Sequence, residues 1–368
     1  MSRIEFRMGA PDDLPAIARL ADQAFDRTSP RIGMAACFPH LFHPDNAHHW
    51  AVAVDGIIMV GIAGSMVWNT ELAGAAVRVA SLGSVATAEG QRRRGIASRL
   101  LQLAESSLNR EGARLMLISG DRPLYRRFGA RPVGRVDWYR VPPGLAVPGT
   151  FEVRDIDPAA DAAAVARLSD SRTVRFERSL SLLQILLAVQ PLTRVEDGSP
   201  VTRLVFSGGT AVSYVCVSHH PQNSRKPSVV VEWAGSAAGM LWALASLADR
   251  SHSGVMVPVL PEDDALRWCL GALSPTSSLP YPGLAKVLDG EGLAADFAEC
   301  WRARAGTAPT VHPVDGGRYR IAFRAMEWVV DPPTLTAWIF GHDVNDRPEA
   351  LSEIWPSPGP WPEGLNFI

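Results

Sequence analysis

The chain has 368 residues, 36 Lys+Arg against 38 Asp+Glu for a formal net charge of −2, and 47% hydrophobic residues. That balance argues against a general nucleic-acid or membrane-surface role, which needs a basic excess on one face. No apolar run approaches the ~20 residues of a spanning helix.

The length gives room for two or three domains. The opening "MSRIEFRMGAPDDL" has no apolar signal core, so a cytoplasmic protein is expected. Cys37, Cys216, Cys269 and Cys300 are dispersed without a Cys-x-x-Cys pair and read as reduced, mostly buried thiols.

Residues 3–7 (RIEFR) read as a short strand. "PDDLPAIARLADQAF" reads as a helix, with apolar residues at helical spacing after a Pro-Asp-Asp start. "WAVAVDGIIMVGIAGSMVW" reads as two strands turning at Asp55-Gly56, and "AVRVASLGSVAT" as a third. "GIASRLLQLAESSLNREG" is an amphipathic helix: Leu100, Leu101, Ala104 and Leu108 share a face and Gly112 closes it. "ARLMLIS" is a strand, "PLYRRFG" a short helical turn ending at Gly129, and "RVDWYRV" a final strand.

At Phe151 the pattern restarts. "IEFRMGAPDDLPAIARL" resembles "FEVRDIDPAADAAAVARL": Glu5, Arg7 and Pro11 match Glu152, Arg154 and Pro158. Such self-similarity indicates two copies of one fold. The second copy continues with strands near 201–206, 211–217 and 228–233, a helix near 237–249 and a strand at 255–259. A third segment opens at "YPGLAKVLD", with an amphipathic stretch "GLAADFAECWRAR", strands near 310–329 and "DPPTLTAWIFG". The closing 20 residues carry two tryptophans, which argues for a packed tail rather than a disordered one.

The chemistry concentrates in "EGQRRRGIASRL" (89–100). Between a strand and a helix, the backbone N–H groups of the turn and of the first helical residues lack intrahelical partners, and the helix dipole adds positive charge. Gly95 allows close backbone approach, Ala97 keeps the next turn small, and the arginines supply forked donors. The arrangement suits a pyrophosphate. The matching junction of the second copy, "EWAGSAAGML", is neutral.

Arg92-x-x-Gly95-x-Ala97, set between "SLGSVAT" and "LMLIS…LYRRFGARPV", resembles the acetyl-coenzyme A loop of the GCN5-related N-acetyltransferases (GNAT). The resemblance implies cofactor contacts from Arg92, Arg93, Arg94, Gly95, Ile96, Ala97, Ser98, Ser119 and Gly120, and pairing of the pantetheine arm with Val85, Ala86 and Thr87. Glu89-Gly90-Gln91 stands where many relatives have Pro-x-Tyr.

Tyr125 would be the general acid that protonates the departing thiolate, or a packed tyrosine closing the cofactor slot. Asp26 would be an acceptor-side carboxylate, or a loop residue past the first helix. Over the full length the layout resembles the enhanced intracellular survival (Eis) acetyltransferases. It implies an α/β (α+β) fold with a catalytic GNAT domain (1–145), a degenerate second GNAT domain (146–280) and a sterol-carrier-like C-terminal domain (281–368). The tail would return to the active site, bringing the Ile368 carboxylate as base or electrostatic partner. A hexamer acting on a small-molecule amine, aminoglycoside-like or polyamine, is implied. A protein-lysine acceptor and a non-catalytic CoA- or lipid-binding module are the alternatives.

"CFPHLFHPDNAHHW" (37–50) gathers Cys37, His40, His43, His48 and His49. Its spacing is not that of a zinc finger and Pro39 and Pro44 interrupt it, so no metal is expected and a loop over the acceptor pocket is the reading taken. "SGGT" (207–210) and 271–279 read as loops rather than phosphate cradles. No Gly-x-Ser-x-Gly motif occurs.

Overall fold

The computed structural model describes residues 4–27, 31–220, 226–251 and 253–368. Arg3, at the start of the first expected strand, and Pro221, of the turn expected after His219-His220, lie outside them. Contacts divide the chain into two compact units. One holds residues up to Gly134, Tyr281–Pro362 and Ile368; the other holds Arg135–Pro280 and Glu363–Phe367.

The first unit begins with β1 (Glu5–Met8), α1 (Leu14–Ala24), α2 (Met34–Cys37), β2 (Trp50–Asp55), β3 (Ile58–Leu72), β4 (Ala75–Thr87), α3 (Ile96–Arg110), β5 (Leu115–Ile118) and α4 (Pro123–Arg127). The expected hairpin is present, with Gly56 at φ +64°, where a glycine is favoured. Helix α3 buries Leu100, Leu101, Ala104 and Leu108, the face read from the sequence. These side chains pack on Ala51, Ala53, Val60, Ala80 and Leu82 to form the core beneath the loop that joins β4 to α3.

The second unit comprises β6 (Val136–Val141), β7 (Glu152–Asp155), α5 (Pro158–Ser169), β8 (Val174–Phe176), α6 (Leu180–Val189), α7 (Pro191–Val195), β9 (Ser199–Ser207), β10 (Thr210–His219), β11 (Ser228–Gly235), α8 (Ala237–Ala248), β12 (Val255–Val259), α9 (Asp264–Cys269) and β13 (Ser277–Leu279). The chain returns to the first unit with β14 (Leu284–Val287), α10 (Gly290–Ala305), a small antiparallel sheet of β15 (Thr310–Val314), β16 (Arg318–Phe323) and β17 (Met326–Val330), and α11 (Pro332–Phe340). The architecture is the mixed α/β class expected.

The first unit's sheet runs β1-β2-β3-β4-β5-β14, and its β4–β5 pair is parallel. The second unit's sheet runs β13-β6-β12-β11-β10-β9-β7, with β11–β12 parallel. Each unit therefore has a strand–helix–parallel strand crossover: β4–α3–β5 in one, β11–α8–β12 in the other. The duplication extends to side chains. Arg7 makes a fork to Asp13 at 2.6 and 2.8 Å; Arg154 makes the same fork to Asp161 at 2.7 Å on both arms. Each acid also accepts a backbone N–H at the entry to its helix, from Ala10 and from Asp157, both at 2.8 Å.

One strand differs from expectation. "RVDWYRV" is expected to end the first copy's sheet, but β6 pairs with β12 and β13 in the second unit. Its Tyr139 and Val141 join the second unit's core with Val255, Val257 and Val259. The place beside β5 is taken by β14, antiparallel, from Leu284↔Ile118 to Val287↔Leu115. Leu284, Ala285 and Val287 are all buried there, as a strand covered on both faces requires. The stretch 170–200, for which the sequence pattern assigns no elements, forms β8, α6 and α7.

The tail is packed, as its tryptophans indicated. In the second unit the Leu365 N–H donates to Glu232 at 3.0 Å, and Arg178 Nε donates to Asn366 Oδ1 at 2.6 Å. Arg178 and Glu232 form a buried bidentate ion pair, 2.7 Å on both arms. Burial opposes both charges, yet their mutual attraction leaves Arg178 raised and Glu232 lowered from their ordinary values.

Candidate active site

Strand β4 fixes the site. Up to Leu82↔Ile118 it pairs in parallel with β5, and the last tie is the Ser119 N–H donating to the Leu82 carbonyl at 3.1 Å. Beyond that, β4 continues to Thr87 while β5 has ended, so Gly83–Thr87 have no β5 partners. On the other edge, β4 stays paired with β3, Ile62↔Ala86 and Gly61↔Thr87. Between Gly64↔Gly83 and Ile62↔Ala86, β4 spends one residue more than β3, which is a β-bulge. Ser84 lies in it at φ +51°, and its hydroxyl is buried with no partner among the described residues. Val85, Ala86 and Thr87 thus line an open strand edge at which an extended ligand can add as a strand does.

The loop after β4 has the geometry of an anion cradle. Gly95 is the N-cap of α3 at φ +75° and supplies no side-chain cap, leaving the first-turn N–H groups without a capping partner among the described residues. A Cβ there would meet nothing within 4 Å, so the space in front of it is open. Arg93 also holds a left-handed φ, +63°. Arg92, Arg93, Arg94 and Ser98 are exposed and Ala97 half-buried. Arg94 donates to Gln91 Oε1, within the departure from Pro-x-Tyr. The Ile96 side chain is buried beside Gly61, so only its main chain faces the loop. The corresponding helix of the second unit is closed: the Ser236 hydroxyl caps α8 by accepting from the Gly239 N–H at 3.2 Å. The difference between the two copies is therefore a capped against an uncapped helix start, besides the arginines.

Tyr125 sits in α4, 5% exposed, within the core that supports α3. Burial raises its phenol above the ordinary value, opposed by the nearby Arg122 charge, so it stays protonated and able to donate. Its hydroxyl makes no hydrogen bond among the described residues. Ser119 and Gly120 follow β5, and Gly120 takes φ +112°. The next residue, Asp121, is forked by Arg126 at 2.7 and 2.5 Å, tying this loop to α4.

Ile368 is 4% exposed and lies against Gly83. A Cβ at Gly83 would stand 2.6 Å from the Ile368 carbonyl carbon and 3.0 Å from Ser119 Oγ, so only glycine leaves room for the chain's last residue beside the splay. Asp26 occupies an exposed left-handed turn after α1 (φ +53°), with Arg31 on its carboxylate at 3.1 Å. Gly83 and Ser84 were not singled out from the sequence. The signal was there, since a glycine inside a strand pattern marks a bulge or a close backbone approach.

His40, from the histidine-rich segment, is buried between Phe38 and Trp68, and neither ring nitrogen has a partner among the described residues. Burial pushes its imidazole down to about 4, so it is neutral near neutral pH. Among the described residues no helix is long and apolar enough to cross a membrane.

The sequence of residues 5–133 matches the acetyltransferase (GNAT) domain family. No curated protein sequence matches the chain. Among solved structures, the fold is similar to a GCN5-related N-acetyltransferase from Anabaena variabilis ATCC 29413, at TM-score 0.69 and 11% identity over 100% of both chains. It is also similar to Eis1 from Mycobacterium abscessus, at TM-score 0.67 and 16% identity over 99% of this chain and 100% of that one. A third is a GCN5-related N-acetyltransferase from Kribbella flavida, at TM-score 0.64 and 13% identity over 100% and 99%. Residues 5–133 are thus a GNAT acetyltransferase domain, within a chain whose whole fold is similar to that of Eis1 from Mycobacterium abscessus.

Proposed function

We propose that the protein moves an acetyl group from acetyl-CoA to a primary amine of a small molecule, aminoglycoside-like or a polyamine, by direct attack in a ternary complex. The observation that carries this reading is the splay of β4 from β5 with Ile368 seated against Gly83. One open edge takes the pantetheine arm along Val85–Thr87, and the uncapped start of α3 takes the pyrophosphate. Acetyl-CoA supplies the activated thioester when bound. Backbone N–H groups at the bulge polarise its carbonyl. Tyr125 gives its proton to the thiolate as the amine attacks.

The Ile368 carboxylate holds the cationic acceptor and draws off its proton, directly or through water. Asp26 adds negative charge on the acceptor side once released from Arg31. The three-domain organisation, the sterol-carrier likeness of residues 281–368, assembly as a homo-oligomer, hexameric by resemblance, and a cytoplasmic location belong to the same reading. A lysine on a protein is the competing acceptor.

The test is thiol release from acetyl-CoA over a panel of aminoglycosides, polyamines and lysine peptides, with initial rates at several concentrations of both substrates. Intersecting double-reciprocal lines with a polyamine or aminoglycoside are expected. Parallel lines would overturn direct transfer, and turnover with lysine peptides alone would overturn the acceptor class.

A further inference from the structure

The histidine-rich segment holds a second cluster that acetyl transfer does not use. We propose that His48, His49 and Glu111 bind a divalent transition metal of the zinc type. Each offers a ligand atom, and the three atoms lie within 4.8 Å of one another. They come from two elements of the same unit: the histidines end the 3-10 helix Pro44–His49 just before β2, and Glu111 is the C-cap of α3.

The support behind the ligands fixes their chemistry. Asn46 is buried, and its Nδ2 donates to the carbonyls of Leu41 at 2.9 Å and Ser65 at 3.2 Å. Its Oδ1 is therefore the atom facing His49 Nδ1 at 2.7 Å, and Nδ1 must carry a proton to donate there. That leaves Nε2 as the ligand nitrogen, aimed at Glu111 Oε2 at 2.7 Å. A histidine whose other nitrogen is pinned by a buried amide oxygen has the outer support that zinc-binding histidines use.

His49 Nε2 and Glu111 Oε2, from two different elements, already face each other at 2.7 Å, so two ligand atoms converge on one place. Two imidazoles and one carboxylate, with a position left for water, form a donor set that zinc accepts. Donor atoms around a tetrahedral zinc stand about 3.4 Å apart. Glu111 Oε2 and His49 Nε2 must open slightly, and the ring of His48, exposed and 4.0 Å from that of His49, must turn inward.

The test titrates the full chain, freed of metal, with zinc in competition with a chromophoric chelator, alongside His48→Ala and Glu111→Gln. His48 is exposed and Gln keeps the shape of Glu, so unchanged melting without metal identifies both variants as folded. One equivalent of zinc is expected in the parent. Affinity should fall about tenfold or more in each variant, and zinc should raise the melting temperature of the parent alone. Equal affinity and stoichiometry in parent and variants would overturn the site, because His40, His43, His219, His220 and His312 remain in all three proteins.

Discussion

Replacing Gly83 by alanine tests whether Ile368 is positioned by the splay. The backbone of Gly83 is not left-handed, so the added methyl creates no local strain and acts only through its contacts. It would stand 2.6 Å from the Ile368 carbonyl carbon, where ordinary contact begins near 3.4 Å. The Ile368 carboxylate oxygen would stand nearer still, so Ile368 must retreat by about 1 Å, or leave. A misplacement of about 1 Å in a reacting constellation costs on the order of 10²-fold, which is about 2.7 kcal/mol of transition-state stabilisation.

If the tail leaves altogether, the buried Ile368 side chain is exposed as well, at about 1.5–3 kcal/mol of stability. Stopped-time thiol release should show kcat down about 10²-fold, with the acetyl-CoA dissociation constant almost unchanged. Deleting Ile368 in the Gly83→Ala background should then add little, because both changes remove one interaction. A Gly83→Ala enzyme with kcat within about twofold of the parent would refute the reasoning, since displacing the terminal carboxylate would then carry no geometric cost.

Tyr125→Phe keeps the packing and removes the proton, so kcat should fall by about 10²–10⁴-fold while acetyl-CoA affinity, read by calorimetry, stays put. Gly95→Ala meets no atom but must hold φ +75°. A cost of about 1–2 kcal/mol should weaken acetyl-CoA binding by roughly 5–30-fold, and unchanged affinity would remove Gly95 from the cradle. Glu262 is pushed up to about 7, by burial first and by Asp263 second. A carboxyl raised on folding stabilises fully below its unfolded value, near 4.5, and loses that contribution as pH rises through about 7. The melting temperature should therefore fall less from pH 5 to pH 8 in Glu262→Gln than in the parent, the interval being set by about those two values; identical slopes would contradict it.

The turn between β4 and α3 was legible because its pattern is local. A strand, an arginine run, Gly95 and an amphipathic helix are consecutive, and short-range rules read them. The repeat was legible for the same reason: Arg7 and Arg154 stand at matching positions, although the Asp13 and Asp161 they fork became visible only in the fold. What escaped was non-local. The destination of β6 depends on which sheet offers an open edge, and the local pattern of "RVDWYRV" is the same beside β5 or beside β12. Similarly, β14 is four residues whose place is set by the vacated edge next to β5. Asp26 shows another limit of local reading: its position after the first helix is plain in the sequence, whereas its left-handed turn and its pairing with Arg31 are features of the fold. The His49–Glu111 pair joins residues 62 apart in sequence, a separation at which spacing rules for metal ligands give no signal.

The most direct test of the account is to extend the chain beyond Ile368 by a few residues and measure turnover and acetyl-CoA binding together. The account predicts that acetyl-CoA still binds with parental affinity, since the cradle at 92–98 and the edge at 85–87 are untouched, while amine acetylation nearly stops. An extended protein that binds acetyl-CoA and acetylates its amine at the parental rate would contradict the role given to Ile368.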